Sequence, residues 1–169
     1  MTELSEKEWL ILKTSQTDYF SEIVLFQQHF FVILHEISVF NMVSQITRGI
    51  KISVSTSFEG TYFKNYKIQF AFSYQITIEN HSKDSVQLMS RHWEIFDSLQ
   101  ETEIVDGEGI IGKKPVLKPG ESHTYSSGCL LTSPFGAMRG HFNMVNFTST
   151  RNFKVVVPTF RLSAPFALN

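Results

Sequence analysis

Three glycines, Gly107, Gly109 and Gly112, form the pattern Gly-x-Gly-x-x-Gly, which is the pattern of a dinucleotide-binding loop. In such a loop a helix follows at once, and its N-terminal amides receive the pyrophosphate of the ligand. Here Pro115 and Pro119 fall where the interior of that helix would be. A proline inside a helix costs about 3 kcal/mol, so the pattern lacks the structural context of a nucleotide-binding loop.

Two interpretations of this glycine tract (residues 105–112) are left. In the favoured one, the glycines supply positive φ angles or a bulge where the chain turns between strands. In the other, the backbone amides form a concavity that binds an anion, with the two adjacent lysines attracting a phosphate or an acidic peptide. The candidate anion-binding or ligand-binding residues are Gly107, Gly109, Gly112, Lys113 and Lys114.

A second cluster is the run Arg91-His92-Trp93. On a strand, Arg91 and Trp93 would share one face and His92 would lie on the other. Arginine and tryptophan can stack as a cation–π pair and are enriched at interface hot spots, so Arg91 and Trp93 are candidate partner-binding residues. For Trp93 we favour a position in the core. For Arg91, a bond to a loop carbonyl or carboxylate is an equally good interpretation.

The histidines and the cysteine form no pattern typical of metal binding or catalysis. Zinc or cobalt needs three or four converging nitrogen, sulfur or carboxylate ligands, and among the histidines His29 and His35 are the closest in sequence. Cys129 lies in an apolar strand context, where a thiol is usually an inert small hydrophobic group. We therefore predict no catalytic residue, no metal site and no cofactor.

Composition sets the broad class of the protein. With 169 residues the chain suits one ordinary domain and an additional segment, and 42% hydrophobic residues with a net charge of −1 indicate a globular protein. There is no basic excess of the kind that nucleic-acid binding requires. A single cysteine fits a reducing compartment, and we expect a cytoplasmic protein.

The first 41 residues are predicted to be a separate N-terminal extension. Residues 23–40 are rich in apolar side chains, but polar residues interrupt them, so no membrane span is expected. A helix that packs on the domain or on a partner is one interpretation. Another is that Met42 is the biological start and that residues 1–41 have no strong role.

After Gly49 the apolar residues recur at alternate positions, which predicts β-strands. The clearest run extends from Ile68 to Ile78, and residues 86–96 form a further strand with two mixed faces that could be an edge or carry a functional surface. Counting such runs gives about seven short strands separated by turn signals at the spacing of β-sandwiches. The predicted fold is an all-β, fibronectin type III or immunoglobulin-like sandwich over residues 42–169.

From about residue 43 onward the sequence resembles the ApaG (DUF525) family. The matching pieces include residues 90–93, the glycine tract, and the runs 115–121, 125–128, 136–140 and 158–162. The resemblance implies a fibronectin type III-like β-sandwich. It also implies small bacterial proteins linked to cobalt and magnesium homeostasis, and eukaryotic relatives that carry the module beside other domains.

These observations lead to two functional hypotheses. The main one is a non-enzymatic module that binds an unidentified protein partner through the surface around Arg91 and the loop Gly107–Gly120. A homodimer is also plausible, because edge strands of a sandwich can pair between copies. The alternative is a phosphate or nucleotide binder, or a weak hydrolase, that uses the amides of the glycine tract with Lys113 or Lys114.

Overall fold

The structure, a computed structural model, describes residues 42–64 and 66–168. The predicted extension over residues 1–41 lies outside the described residues. Within the described part of the chain, no helix is long and apolar enough to cross a membrane.

The described residues form nine β-strands, all paired antiparallel, and a 3₁₀ helix at Pro165–Leu168. The strands are β1 Val43–Thr47, β2 Ile50–Lys64, β3 Lys67–Asn80, β4 Val86–Asp97, β5 Glu103–Glu108, β6 Val116–Leu117, β7 Ser122–Leu131, β8 Phe135–Asn146 and β9 Asn152–Ser163. One sheet has the order β1-β2-β3-β7, and the other has the order β5-β4-β8-β9 with β6 also paired to β4. The predicted all-β sandwich is confirmed.

The core lies between the two sheets and follows from the alternation of apolar residues. Along β3, Phe72, Tyr74, Ile76 and Ile78 are buried, as the sequence pattern predicted. Their partners from the second sheet are buried side chains of β4, β8 and β9. A β-sheet residue faces the opposite side from its neighbours, so the residues between them point to solvent.

Strand β4 departs from the predicted strict alternation. Its pairing with β8 shifts between Leu88 and Ser90, which marks a β-bulge. A bulge adds one unpaired residue. Leu88 therefore faces inward before the bulge, whereas Arg91 and Trp93 face inward after it, which explains the two mixed faces. The hypothesis that this strand is an edge is wrong, since β4 lies between β8 and both β5 and β6.

The strand count differs from the predicted number for a physical reason. Strand β5 has the sequence EIVDGE, and mostly exposed acidic and glycine residues hide its period. Strand β1 has the sequence VSQIT with an exposed centre, and β6 has two residues. Such short or polar strands carry little hydrophobic pattern and are set by their pairing with neighbours.

Candidate functional site

The first two glycines of the glycine tract have close neighbours across the sheet. Gly107 lies in β5 opposite Arg91, and a Cβ placed on it would be 2.7 Å from Cζ of that arginine. Gly109 has a φ of +57°, and its Cβ would lie 2.2 Å from the carbonyl oxygen of Lys113. A larger residue at Gly109 would therefore collide with the backbone of Lys113, whereas one at Gly107 would have to move the guanidinium group of Arg91.

The third glycine belongs to a two-residue turn. The Ile110 amide donates to the Lys113 carbonyl at 2.7 Å, and the Lys113 amide donates back at 2.9 Å. Between them Ile111 has a φ of 47° and Gly112 a φ of 73°. Positive φ at both central residues is the property of a type I′ turn, so Gly112 serves the turn.

Some backbone amides of the tract and of Lys113 beside it are engaged within the protein. Besides the two amides that close the turn, the Gly109 amide donates to the Met89 carbonyl at 2.8 Å. The ammonium group of Lys114 lies 3.0 Å from a carboxylate oxygen of Glu108. This geometry agrees with the structural interpretation of the tract, because the Gly109 and Ile110 amides already donate within the chain.

Arg91 fastens the glycine tract to the core. Its Nη1 donates to the carbonyl oxygens of Glu108 at 3.1 Å and of Gly109 at 2.8 Å. Burial raises the pKa of the buried Tyr125 phenol far above its usual range, and the positive charge of Arg91 opposes that rise. Of the two interpretations of Arg91, these contacts agree with a bond to loop carbonyls.

Trp93 is a core residue, as the favoured interpretation of the sequence predicted. Its side chain is 3% exposed and lies edge-on against Phe142 at 5.9 Å and Phe160 at 6.0 Å. A Cβ on Gly140 of β8 would come within 3.0 Å of the Trp93 ring, so the glycine makes room for it. A tryptophan enclosed in this way has almost no surface to offer a partner.

The described histidines and the cysteine show no arrangement for metal or thiol chemistry. Nδ1 of His92 lies 2.7 Å from Asp106 Oδ1, and the His92 ring stacks on His141 at 4.9 Å. Burial, helped by the charges of Lys154 and His92, lowers the pKa of His141. Across the described residues no group of three or more histidine, cysteine or carboxylate side chains could hold a metal ion. Burial raises the pKa of the Cys129 thiol to about 11, which keeps it protonated.

Among the described residues, a part of the chain without any motif carries a cluster of exposed apolar side chains. We call residues 61–70, the ends of β2 and β3, the hairpin arm. Pairing between β3 and β7 stops at Phe70 and Leu131, whereas pairing between β2 and β3 continues to Lys64 and Lys67. The arm therefore extends beyond the rest of its sheet as two strands.

The side chains of the arm are large and exposed. Phe63 is 72% exposed, Tyr66 94%, Tyr62 54% and Ile68 52%. Phe63 pairs with Ile68, so both lie on the face that continues inward to Phe70. The apolar face of the core thus continues along the arm, where Phe63 and Ile68 expose it to solvent.

Sequence comparison identifies the family. The chain matches the ApaG domain over residues 60–146. It is 43% identical over 126 residues to Protein ApaG of Beijerinckia indica, a match that covers 75% of this chain and 96% of that protein. The chain belongs to the ApaG domain family. A second ApaG protein, from Brucella abortus, is 38% identical over 124 residues, which cover 73% of this chain and 95% of that protein.

Solved structures agree with this assignment. An X-ray structure from the Northeast Structural Genomics Consortium matches with a TM-score of 0.66 and 34% identity, over 69% of this chain and 88% of that one. The crystal structure of the putative ApaA protein from Bordetella pertussis matches with a TM-score of 0.63 and 34% identity, over 69% of this chain and 94% of that one. The resemblance to the ApaG family is confirmed, and with it the sandwich fold.

The hairpin arm of this ApaG domain was not predicted from the sequence. The apolar alternation predicts a strand that begins at Ile68, and it gives no role to the aromatic residues before it. A signal was available, because Tyr62, Phe63 and Tyr66 stand within five positions of one another and next to Lys67. Clustered aromatic residues beside a turn are unusual unless they are packed or used for contacts.

Proposed function

We propose that this ApaG-domain protein is a non-enzymatic module that binds another protein through the hairpin arm. The observation that carries the proposal is the exposure of Phe63 and Tyr66 on an arm that extends beyond its sheet. Contiguous exposed apolar surface marks contact sites, and tyrosine and phenylalanine are enriched in interfaces. A monomeric protein gains nothing in stability from such exposure.

The charge of the arm indicates the chemistry of the partner. Residues 61–70 include Lys64 and Lys67 and contain no acidic residue. An acidic segment with apolar side chains would place a carboxylate near Lys67 and its apolar groups against the aromatic rings. Opposite charges at an interface speed association and select partners.

The cellular role that we propose follows from the family resemblance. It is a cytoplasmic process that affects divalent-cation balance, in which the partner and not a bound ion provides the link. The surface around Arg91 is a weaker candidate for the interface, because its guanidinium already binds two carbonyl groups. The alternative, a phosphate or nucleotide binder at the glycine tract, is less favoured because the Gly109 and Ile110 amides donate within the chain.

A capture experiment tests the arm. The full chain and the variant Phe63→Ser/Tyr66→Ser would be immobilised, crosslinked in cell extract and compared by quantitative mass spectrometry. The matched control is Phe147→Ser, which removes a 48% exposed aromatic residue from the turn after β8, at the other end of the sandwich. We expect a partner that the wild type and Phe147→Ser recover and that the arm variant loses.

Two further measurements make the result decisive. Equal melting temperatures of the three proteins would show that the arm variant still folds. Sedimentation of the purified chain would reveal whether the captured partner is a second copy. Recovery of every crosslinked protein to the same extent by wild type and arm variant would contradict the proposal.

A further inference from the structure

A cavity lies at the end of the sandwich opposite the hairpin arm. Its volume is about 270 Å³, and we call it the end pocket. Three turns contribute to it: Arg48 from the turn between β1 and β2, Ser82 and Asp84 from the turn between β3 and β4, and Ser149 and Arg151 from the turn between β8 and β9. Residues distant in sequence thus meet in one concave site.

Hydrogen bonds fix the turn between β3 and β4. The buried side chain of Asn80 donates to the carbonyl groups of Asp84 at 2.8 Å and Leu117 at 3.0 Å. Its Oδ1 accepts from the amide and the hydroxyl of Ser82. This wall of the end pocket is therefore held in place without a ligand.

The other two walls are also ordered. Asn146 accepts a hydrogen bond from the Ser149 amide at 2.9 Å and donates to Asp84 at 2.8 Å, which joins two of the turns. On the remaining side, the guanidinium of Arg48 lies over the Phe153 ring at 6.0 Å. A pocket that is ordered in advance loses less entropy when it binds.

The arginines of the pocket have cationic groups available for a ligand. Within the described residues, neither Arg48 nor Arg151 has a carboxylate within ion-pair distance. Asp84 also lines the pocket, where Asn146 and Thr148 donate to its carboxylate and thereby lower its pKa. With Asp84 ionised, the three charged side chains of the pocket sum to one positive charge.

We propose that the end pocket binds a phosphate-monoester group, with Arg48 and Arg151 as its two cationic contacts. Guanidinium groups match the geometry of phosphate oxygens and bind them in pairs of parallel hydrogen bonds. Two of them suit a doubly charged group better than a single carboxylate. Val86 and Phe153 provide an apolar floor against which the carrier of the phosphate can pack.

The phosphate could belong to a small metabolite or to a phosphorylated side chain. Both present the same group to the arginines, and they differ in what contacts the apolar floor. The end pocket is independent of the hairpin arm, so failure of one proposal leaves the other unaffected.

Titration followed by amide NMR tests this site. Inorganic phosphate, AMP and a phosphoserine peptide would be added at low salt, with acetate as the singly charged control. We expect saturable shifts at the amides of Ser82 and Ser149 with the three phosphates and none with acetate. Arg48→Ala and Arg151→Ala should each weaken binding about tenfold, the effect of losing charged hydrogen bonds. Tighter binding of AMP would indicate a small metabolite as the carrier of the phosphate, and tighter binding of the peptide would indicate a phosphorylated side chain.

Controls separate specific binding from general electrostatics. Lys83→Ala removes one positive charge from the turn between β3 and β4, which also carries Ser82 and Asp84. Lys83 does not line the pocket, so this change should leave the affinity within about twofold. Arg48→Lys and Arg151→Lys preserve charge and fold but lose the paired hydrogen bonds, so they should weaken binding as well. The proposal is overturned if millimolar phosphates cause no shifts, if acetate binds equally, or if the arginine variants bind like wild type.

Discussion

The glycine tract and the hairpin arm are two loop-bearing regions of the same sandwich. In these two regions, a recognisable sequence motif and an exposed apolar surface do not occur together. The tract has a known motif, yet its glycines lie against Arg91 and Lys113 or form a tight turn. The arm has no motif, yet it exposes 72% of Phe63 and 94% of Tyr66. A short pattern of glycines can thus be fixed by backbone geometry alone, whereas exposed aromatic side chains have no such structural reason.

The sharpest test of this comparison is a pair of alanine substitutions within the tract. Gly109→Ala should cost about 3 kcal/mol, from a left-handed backbone and a collision with the Lys113 carbonyl. Gly112→Ala should cost about 1 kcal/mol, because its φ is +73° but nothing lies within 4 Å of the new Cβ. Urea unfolding measures both. Equal losses would mean that the contact with Lys113 does not decide the role of Gly109.

A second pair of substitutions compares a phenylalanine that packs on the body of the domain with one on the hairpin arm. Phe58 packs on Phe72 at 5.4 Å and on Phe166 at 5.8 Å. Because Phe58 is partly buried, Phe58→Ala should cost about 2 kcal/mol, and Phe63→Ala should be neutral within about 0.5 kcal/mol. Thermal unfolding monitored by circular dichroism compares them. A loss of stability in Phe63→Ala similar to that in Phe58→Ala would show that Phe63 is packed and unavailable to a partner.

Much of this fold was predictable because its strands have strong patterns. The alternation from Ile68 to Ile78 identified a strand with one buried face, and the order of motifs identified the family. The bulge in β4 was not predictable, since it depends on pairing with β8, 50 or more residues away in sequence. The positions of the exposed surfaces were hidden for a related reason. Whether Phe63 or Trp93 is buried depends on which other strands reach it.

The third prediction concerns the arginine that closes the tract. Arg91→Ala should lower the free energy of unfolding by about 1.5 kcal/mol, because two loop carbonyls lose a charged donor. Arg139 provides the matched control: its side chain is 54% exposed and pairs with Glu94, so Arg139→Ala should cost less than about 1 kcal/mol. Urea unfolding is again suitable. If Arg91→Ala were the milder change and also removed the captured partner, the interface would move from the arm to the tract.

The smallest expected effect tests the anion hypothesis for the tract. Lys114 pairs with Glu108 at the surface, so Lys114→Ala should change stability by less than about 0.5 kcal/mol. Calorimetric titration with pyrophosphate would then compare Lys113→Ala/Lys114→Ala with Arg48→Ala. Because the Gly109 and Ile110 amides already donate within the chain, the lysine variant should bind like wild type, and any binding should be weakened by Arg48→Ala instead. The reverse result, with binding lost in the lysine variant, would assign anion binding to the tract and restore the function that its glycine pattern first suggested.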